Sequence, residues 1–252
     1  MTRQIDYRSR FKESAGAYDK LTQSRHVRLI YELEKRVLEN VLAKINSREK
    51  SLMDFACGTG RWTQFLEGHF KETTGVDVSE EMVALARQKC SKTEFIVTDI
   101  TSDTVDKRLE DRRFDVITAF RFYKNAEEEL RQAVTEAIPK YLKKDGLFIF
   151  DLHLNTFSFM GMLAGIIRFL RVQSLLGIGD LTVRTISLRC IRKLFEDSSF
   201  EIIDYYGMGV LPGRSNYTVL PGNLLYKIES FFTNRRILGR FSYNILVITK
   251  KR

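Results

Sequence analysis

Five short apolar runs rich in β-branched and aromatic residues occupy the first three-fifths of the chain, and segments of helical spacing separate them. In the segments at 79–90 and 127–142, apolar residues recur at three- and four-residue steps, which indicates helices. Strands that alternate with helices pair in parallel and carry helices on both faces. Right-handed crossovers then produce a doubly wound sheet. The five runs are 51–56, 72–78, 94–100, 114–120 and 146–152.

Helical spacing also precedes the first strand and returns after the fifth. Residues 18–45 predict a helix whose apolar stripe, from Leu29 to Val41, packs into the core. After Leu152 the pattern changes, because residues 155–179 are strongly apolar, and the apolar residues from Phe157 to Leu170 can share one helical face. The elements predicted beyond them are a helix over 185–197, a strand over 201–207, a helix over 224–234 and a seventh strand over 243–251.

Composition narrows the class of protein. The chain has 252 residues of which 44% are hydrophobic, enough for one sizeable core. Three cysteines, far apart and in no CxxC pair, argue against a disulfide framework or a zinc site, so no metal is expected. The polar N-terminus lacks the apolar core of a secretory signal. We therefore expect a cytoplasmic protein.

The net charge is +9 and the isoelectric point is about 9.4. A basic surface attracts nucleic acid, anionic lipid headgroups or an anionic small substrate. Charge alone does not choose between these partners and a solvated surface that binds none of them. We find no RNA-binding module, and nucleic acid is the less favoured partner.

The most informative motif follows the first predicted strand. Asp54 ends the apolar run, and the small residues Ala56, Gly58 and Gly60 follow at alternate positions. Small residues let the backbone turn sharply and approach a ligand closely. A helix that starts near Arg61 points its amide dipole back at this loop.

A second carboxylate ends the second predicted strand, at Asp77. In a doubly wound sheet both strand ends meet at the topological switch point, where this carboxylate can accept the hydroxyls of a ribose. A dinucleotide loop needs a third small residue where this chain has Thr63, and no phosphate-binding GxxxxGK[ST] loop is present. S-adenosylmethionine carries no phosphate, and it requires only close backbone, a ribose carboxylate and an adenine slot.

These motifs resemble those of the class I S-adenosylmethionine-dependent methyltransferases over residues 18–153. Alanine at position 56, where glycine is commonest in that family, is the one departure in the first motif. The resemblance is closest to the small-molecule branch that includes quinone-type enzymes. The matched positions are Asp54, Ala56, Gly58 and Gly60 in the first motif, Asp77 as the ribose acid, Asp99 as the adenine acid, 114–127 for the fourth strand and 141–153 for the fifth.

The resemblance implies an α/β fold with a doubly wound, seven-stranded, mostly parallel sheet of Rossmann-like type whose last strand is antiparallel. It also implies a helical lid at the N-terminus and a helical insert after the fifth strand. We interpret 1–252 as a single domain, with a cofactor-binding core over 18–153 and an acceptor-side elaboration over 154–242.

The resemblance further implies that S-adenosylmethionine is the cofactor, and it assigns the residues that hold it. Met82 is an adenine contact or, equally, a core residue. Tyr18 and Arg25, in the predicted N-terminal lid, are candidates to contact the carboxylate of the cofactor. The full set is Asp54, Ala56, Gly58, Thr59, Gly60, Asp77, Val78, Met82, Asp99, Ile100, Phe120, Tyr18 and Arg25.

The candidate catalytic residues follow the fourth and fifth strands. His153 lies at the right sheet edge to serve as a general base for an oxygen acceptor, or else only shapes the pocket. Arg121, Tyr123 and Asn125 are candidates to bind the acceptor, and a carboxylate or phosphate acceptor would suit Arg121. The fourth strand carries no NPPY-like tetrapeptide, which disfavours methylation of amino nitrogens on bases.

The uncharged segment 156–167 is an acceptor lid, ordinary core or an interfacial membrane helix. Its apolar content favours a hydrophobic acceptor. The predicted function is therefore S-adenosylmethionine-dependent methylation, at oxygen or carbon, of a small hydrophobic or lipid-type acceptor, with possible peripheral membrane contact. The alternatives are an RNA methyltransferase that uses the basic surface and a non-catalytic S-adenosylmethionine-binding partner protein.

Overall fold

The computed structural model describes residues 25–153, 155–158, 161–162, 165–166, 186–196, 198–209, 221–233 and 239–252. Seven strands form one sheet. They are β1 (Ser51–Phe55), β2 (Glu72–Asp77), β3 (Thr93–Val97), β4 (Phe114–Ala119), β5 (Leu142–His153), β6 (Phe200–Met208) and β7 (Asn244–Lys251).

The helices that the described residues form, apart from a 3-10 turn at Ser47–Glu49, are numbered in chain order. They are α1 (Arg25–Lys44), α2 (Arg61–Leu66), α3 (Glu80–Lys89), α4 (Lys107–Glu110), α5 (Phe122–Asn125), α6 (Glu128–Tyr141), α7 (Leu188–Glu196) and α8 (Gly222–Thr233).

The strand order is β3-β2-β1-β4-β5-β7-β6. Strands β1 to β5 pair in parallel, whereas β7 is antiparallel to both β5 and β6. The predicted fold class, including the antiparallel last strand, is confirmed. The chain runs outward from β1 through β2 and β3 and then returns to β4 on the other side of β1. The topological switch point therefore lies between the carboxyl ends of β1 and β4.

Helix α1 covers one face of the sheet because its apolar stripe is buried. Leu33, Leu38 and Leu42 are at most 2% exposed, and the stripe packs with residues of α2, β1, β4, β5 and β7. Burial of each such side chain stabilises the fold by about 1.5–3 kcal/mol. The predicted core stripe is confirmed from Leu33 onward. The apolar side chains in the second half of α1 therefore form part of the hydrophobic core.

Helix α3 starts directly behind the end of β2, and its N-terminus is well defined. The Ser79 hydroxyl accepts a hydrogen bond from the backbone N–H of Met82 across 3.3 Å. Glu80 and Glu81 lie in the first turn, and Arg87 and Lys89 lie in the last, as the helix dipole favours. This local capping fixes where the chain leaves Asp77.

Several predictions concern residues without a described structure. Tyr18 and the N-terminal part of the predicted helix precede the described residues, and most of the segment at 155–179 also falls outside them. Among the described helices, none combines the length and apolar character that crossing a bilayer requires.

Candidate cofactor and acceptor site

Strand register brings the predicted motif residues to one edge of the sheet. Asp54, near the end of β1, lies beside Gly75 of β2 and Thr118 of β4. Asp77, the last residue of β2, pairs with Val97 of β3. Parallel strands end at the same sheet edge, so both carboxylates flank the loop that follows β1.

The loop after β1 explains why small residues alternate in the sequence. Ala56, Gly58 and Gly60 all adopt left-handed backbone conformations, with φ of 54°, 55° and 77°. This region is open to glycine and unfavourable for residues with a Cβ. Gly60 then caps α2, and its N–H donates to the carbonyl of Cys57 across 3.1 Å. Each small residue therefore marks a turn of the loop.

The two glycines of the loop serve different purposes. A Cβ at Gly60 would lie 2.8 Å from the Cβ of Ala86, so this glycine allows α2 and α3 to pack closely. A Cβ at Gly58 would meet nothing within 4 Å. The backbone at Gly58 thus borders open space, which a ligand of the loop can fill.

Asp54 lies beneath the loop and is 1% exposed. Its Oδ2 accepts a hydrogen bond from the Thr63 hydroxyl across 2.6 Å, and its Oδ1 accepts one from the Thr118 hydroxyl across 2.7 Å. Burial raises the pKa of this carboxyl to about 6, against the lowering effect of both hydroxyls. Asp54 therefore ties β1, α2 and β4 together under the site.

Asp77 lies at the rim of the loop and holds it from the other side. Its Oδ2 accepts a hydrogen bond from the Gly58 N–H across 2.8 Å, and its Oδ1 accepts one from the Ser79 N–H across 3.0 Å. Burial raises the pKa of Asp77, and these backbone donors act in the opposite direction. The carboxylate is thus fixed in orientation next to Gly58, where it fits a pair of ribose hydroxyls.

The residues predicted to surround an adenine ring divide into two groups. Val78 is 42% exposed, and Met82 is half-buried and lies outside the three buried clusters of the core. Asp99 is also half-buried, and its Oδ1 accepts from the N–H and hydroxyl of Thr101. Ile100, in contrast, is 3% exposed and belongs to the main core cluster. Its side chain packs inside the fold.

Thr59, in the loop itself, is 2% exposed. The two predicted contacts from the N-terminal lid have no described side chain. Tyr18 precedes the described residues, and Arg25 begins α1 with its side chain outside the described part. Both assignments remain predictions.

Phe120, at the end of β4, is part of an aromatic layer formed by Tyr31, Trp62 and Phe120. Phe120 stacks on Trp62 with ring centroids 4.2 Å apart, and Tyr31 of α1 meets the edge of Trp62 at 4.7 Å. The Arg61 guanidinium lies 3.9 Å from the centre of the Tyr31 ring. Burial raises the pKa of Tyr31 to about 12. This layer joins α1 to the end of β4.

Sequence reasoning missed Tyr31 and Trp62 as part of the site. A signal existed for Trp62, because it is the only tryptophan in the chain and directly follows the loop and Arg61. Tyr31 has no comparable signal, since one aromatic residue on an amphipathic helix is ordinary. Only the packing of α1 over α2 brings the two rings together.

Arg121 is the centre of a buried polar cluster at the ends of β4 and β5. One guanidinium nitrogen donates to both oxygens of Glu34 on α1, at 2.8 and 2.7 Å. The other donates to Asp151 and, at 2.8 Å, contacts Nδ1 of His153. The Asn244 side-chain amide also donates to Glu34 across 2.6 Å. The cluster therefore spans α1, β4, β5 and β7, and Glu34 and Asn244 are members that the sequence did not reveal.

The geometry of His153 bears on its predicted role as a general base. Burial and the neighbouring cations Arg121 and Lys124 lower the pKa of His153 well below its ordinary value. Because a guanidinium can only donate, Nδ1 of His153 accepts that bond and the neutral ring carries its proton on Nε2. Neither nitrogen then offers a free lone pair, so the pocket-shaping alternative fits this arrangement better.

The electrostatics of Arg121 bear on the predicted anion site. Its charge is paired with two carboxylates, Glu34 and Asp151, which are 4% and 2% exposed. Burial raises the pKa of Glu34, and the Arg121 charge lowers it. A guanidinium already held by two carboxylates is a poor receptor for a carboxylate or phosphate acceptor.

Tyr123 lies in the hydrophobic core and has no exposed surface. Its hydroxyl lies 3.1 Å from the Thr135 hydroxyl, and burial raises its pKa above the ordinary value. The sequence placed Tyr123 among the acceptor-binding candidates because it follows β4 closely. The structure places it on the inner side of α5, and we assign it to the core.

Asn155 anchors the start of the segment after β5. Its side-chain amide donates to the carbonyls of Arg240 and Ser242 at 2.7 and 3.0 Å, and its side chain is buried. The segment that leaves β5 is thereby attached to the approach of β7. The predicted acceptor side thus begins at a fixed point of the fold.

Comparison with known proteins agrees with this geometry. Residues 52–146 match the family described as "Methyltransferase domain". A demethylmenaquinone methyltransferase of Staphylococcus saprophyticus is 28% identical over 143 residues, which cover 55% of this chain and 58% of the relative. A putative methyltransferase of Geobacillus is 33% identical over 107 residues, which cover 41% and 42%. The chain spans about half the length of these curated relatives.

A likeness to a solved structure extends over nearly the whole chain. The magnesium protoporphyrin IX methyltransferase of Synechocystis has a TM-score of 0.61 with 96% of each chain covered, at 16% identity. At that identity the likeness establishes the fold. The family match covers the loop after β1 and the strand-end carboxylates Asp54, Asp77 and Asp99. Residues 52–146 of this chain are therefore similar to the methyltransferase domain family, and the surrounding fold is that of a solved methyltransferase.

Proposed function

We propose that this protein transfers a methyl group from S-adenosylmethionine to a small, hydrophobic acceptor. The observation that carries the proposal is the backbone at Gly58, which borders open space while its N–H is held by Asp77 across 2.8 Å. A close backbone beside a fixed carboxylate, at the switch point of a doubly wound sheet, suits a nucleoside cofactor.

The residues of this chain divide the work of holding the cofactor. Asp77 accepts the ribose hydroxyls, and the backbone of Gly58 and Thr59 lines the loop. Met82 and Val78 supply apolar surface for the adenine, and Asp99 accepts from its amino group. When bound, S-adenosylmethionine supplies the electrophilic methyl group, while the protein orients it and excludes water.

Two observations support a hydrophobic acceptor. The first is the aromatic layer of Tyr31, Trp62 and Phe120 beside the end of β4. The second is the pairing of Arg121 with two buried carboxylates, which favours an uncharged acceptor over an anionic one. The relative named demethylmenaquinone methyltransferase points to the same class. We propose methylation at oxygen or carbon, with His153 as a neutral hydrogen-bond donor.

Peripheral membrane contact is a further part of the proposal. Phe157, Met162 and Ile166, in the segment after β5, are large apolar side chains that lie exposed. The net charge of +9 favours an anionic surface. Flotation with vesicles of anionic phospholipid tests this contact, and absence of the protein from the floating fraction would remove it.

Calorimetric titration with S-adenosylmethionine tests the central claim. We expect the wild-type protein to bind the cofactor and Asp77→Asn to bind it at least about tenfold more weakly, since a hydrogen bond to a charged group contributes roughly 1.5–3 kcal/mol. Asp103→Asn, at an exposed position, is the matched control. A well-folded wild-type protein that binds no cofactor would refute the proposal.

The acceptor class is tested with cofactor carrying a labelled methyl group. Label should enter a lipid extract and should be absent from bulk RNA. Label in RNA would contradict the proposal of a small hydrophobic acceptor and support the alternative of an RNA methyltransferase. Cofactor binding without transfer to either fraction would support the non-catalytic alternative.

A further inference from the structure

Glu34 is a buried acid on α1, and the other side chains of this helix that the structure describes as buried are apolar. Its neighbours Leu33, Val37 and Leu38 are buried, and Val37 and Leu38 pack against the sheet. These side chains already dock α1 by burial of apolar surface. Removing a carboxylate from water is costly, and an apolar residue at this position would pack at least as well. The packing of α1 therefore does not explain Glu34.

The partner of Glu34 lies in an unusual part of the backbone. Arg121 has a φ of 62°, in the left-handed region that residues with a Cβ avoid. It follows Phe120 directly and caps α5. Its backbone N–H donates to Asp151, which also receives the guanidinium. Asp151 thus holds the turn within the sheet, and Glu34 is the contact that reaches it from outside.

The same two segments also form the aromatic layer. Tyr31 lies one helical turn before Glu34 on α1, and Phe120 immediately precedes Arg121. Trp62 lies between Tyr31 and Phe120, with ring centroids 4.7 and 4.2 Å away. An ion pair between Glu34 and Arg121 therefore fixes the two sides of the layer relative to each other.

We propose that Glu34 is a positioning residue, which holds Arg121 and the turn after β4 against α1 and so keeps the aromatic layer aligned over the cofactor site. This inference rests on the proposed function for the identity of the bound molecule. It does not rest on that function for the contact itself. Loss of the Glu34 charge should loosen the wall of the site while the fold is retained.

The test compares Glu34→Gln with Glu32→Gln on the same helix. Glu32 is exposed and pairs only with Lys35 in the described structure, so it controls for the change in charge. Glu34→Gln leaves one cation, Arg121, facing one anion, Asp151, so no charge is stranded and the variant should fold. Circular dichroism checks this. We expect the Kd for S-adenosylmethionine to rise at least about fivefold in Glu34→Gln, within the range of coupled sites, and to stay unchanged in Glu32→Gln.

Hydrogen exchange without cofactor provides the second measurement. In Glu34→Gln, but not in Glu32→Gln, amides of α1 and of residues 120–125 should exchange faster. A Glu34→Gln variant with a lower Tm but an unchanged Kd and unchanged exchange at 120–125 would overturn the inference. If wild-type protein bound no cofactor, the proposed function would fail, and exchange alone would decide the role of Glu34. If Glu34→Gln did not fold, Glu34→Asp keeps the charge but is shorter by one methylene, and the same two measurements apply to it.

Discussion

The Thr63 hydroxyl donates a hydrogen bond to Asp54 across 2.6 Å and joins the first turn of α2 to the end of β1. Thr118 of β4 donates to the other oxygen of the same carboxylate. A third small residue in place of Thr63, as a dinucleotide loop requires, would leave a buried carboxylate oxygen without this donor. Thr63 therefore belongs to the hydrogen-bonded group of Asp54, Thr63 and Thr118 that supports this loop.

Asp54→Asn should change how stability depends on pH. Burial raises the pKa of the Asp54 carboxyl to about 6 in the folded state, whereas its ordinary pKa of 3.8 applies to the unfolded chain. The folded state thus binds more protons in this interval, and ionisation of Asp54 lowers stability as the pH rises from about 4 to about 6. Asparagine cannot ionise. The stability of Asp54→Asn relative to wild type should therefore rise across this interval, by up to about 3 kcal/mol, and then stay constant.

Urea unfolding of both proteins between pH 4.5 and pH 7.5 measures this difference. Groups that titrate in both proteins cancel in it. A difference that does not vary with pH would show that Asp54 is ionised throughout the range.

Alanine substitution at Gly58 and at Gly60 should separate binding from folding. At Gly58 the added methyl group meets open space, so only the left-handed backbone is disfavoured, by about 1–2 kcal/mol. The methyl group then occupies the space we assign to the cofactor. Binding should weaken about tenfold or more, which corresponds to 1.4 kcal/mol.

At Gly60 the added methyl group also collides with Ala86, and a further loss of about 1–3 kcal/mol is expected from overpacking. Urea unfolding and cofactor titration measure both effects. Equal losses of stability in the two variants would contradict the distinct roles of the two glycines.

Ala56→Gly should stabilise the protein. Ala56 has a φ of 54°, a conformation that costs a residue with a Cβ about 1–2 kcal/mol. Glycine removes this cost, but its larger entropy in the unfolded chain lowers the stability of the folded state by about 0.5–1 kcal/mol. The two ranges leave a net gain of up to about 1.5 kcal/mol in the free energy of unfolding. Ala43→Gly, at an exposed position of α1, is the same chemical change in a helix and should lower stability. A loss of stability in both variants would refute strain at Ala56.

His153 should remain neutral, with its proton on Nε2, at pH values where an ordinary histidine is charged. Protonation would place a second cation next to Arg121 in a buried site, which lowers the pKa of His153 well below 6.5. The unfolded chain binds this proton more readily, so the contribution of His153 makes stability fall as the pH drops below about 6.5. Nitrogen-15 spectra of the imidazole between pH 5.5 and pH 8 measure the protonation state. His153→Gln identifies the signal, and titration of that signal near pH 6.5 would contradict the prediction.

Much of the fold follows from short-range patterns. Alternation of apolar strands with amphipathic helices is local in the chain, and it predicted the sheet and the buried stripe of α1. The alternate small residues from Ala56 to Gly60 predicted the loop, because backbone conformation depends mainly on the residue itself and its neighbours. Asp77 could be placed because parallel strands end at a common edge.

Other assignments depended on burial, which local pattern does not encode. Tyr123 and Ile100 follow strand ends, as site residues do, yet both side chains turn into the core. One-sided burial at such positions is set by the elements that pack over them. A one-residue difference in where a helix begins decides which face a side chain takes.

The sequence alone determined the turns of the loop after β1 and the sheet that supports it, because both are built from local geometry repeated in order along the chain. The tertiary structure alone decided the surroundings of Arg121. Glu34 lies 87 positions before Arg121, and Asn244 lies 210 positions after Glu34. Charges separated by such distances meet only when α1 docks on the sheet. There Arg121 pairs with the buried carboxylates of Glu34 and Asp151, and this pairing disfavours the role of anion receptor that the sequence suggested for it.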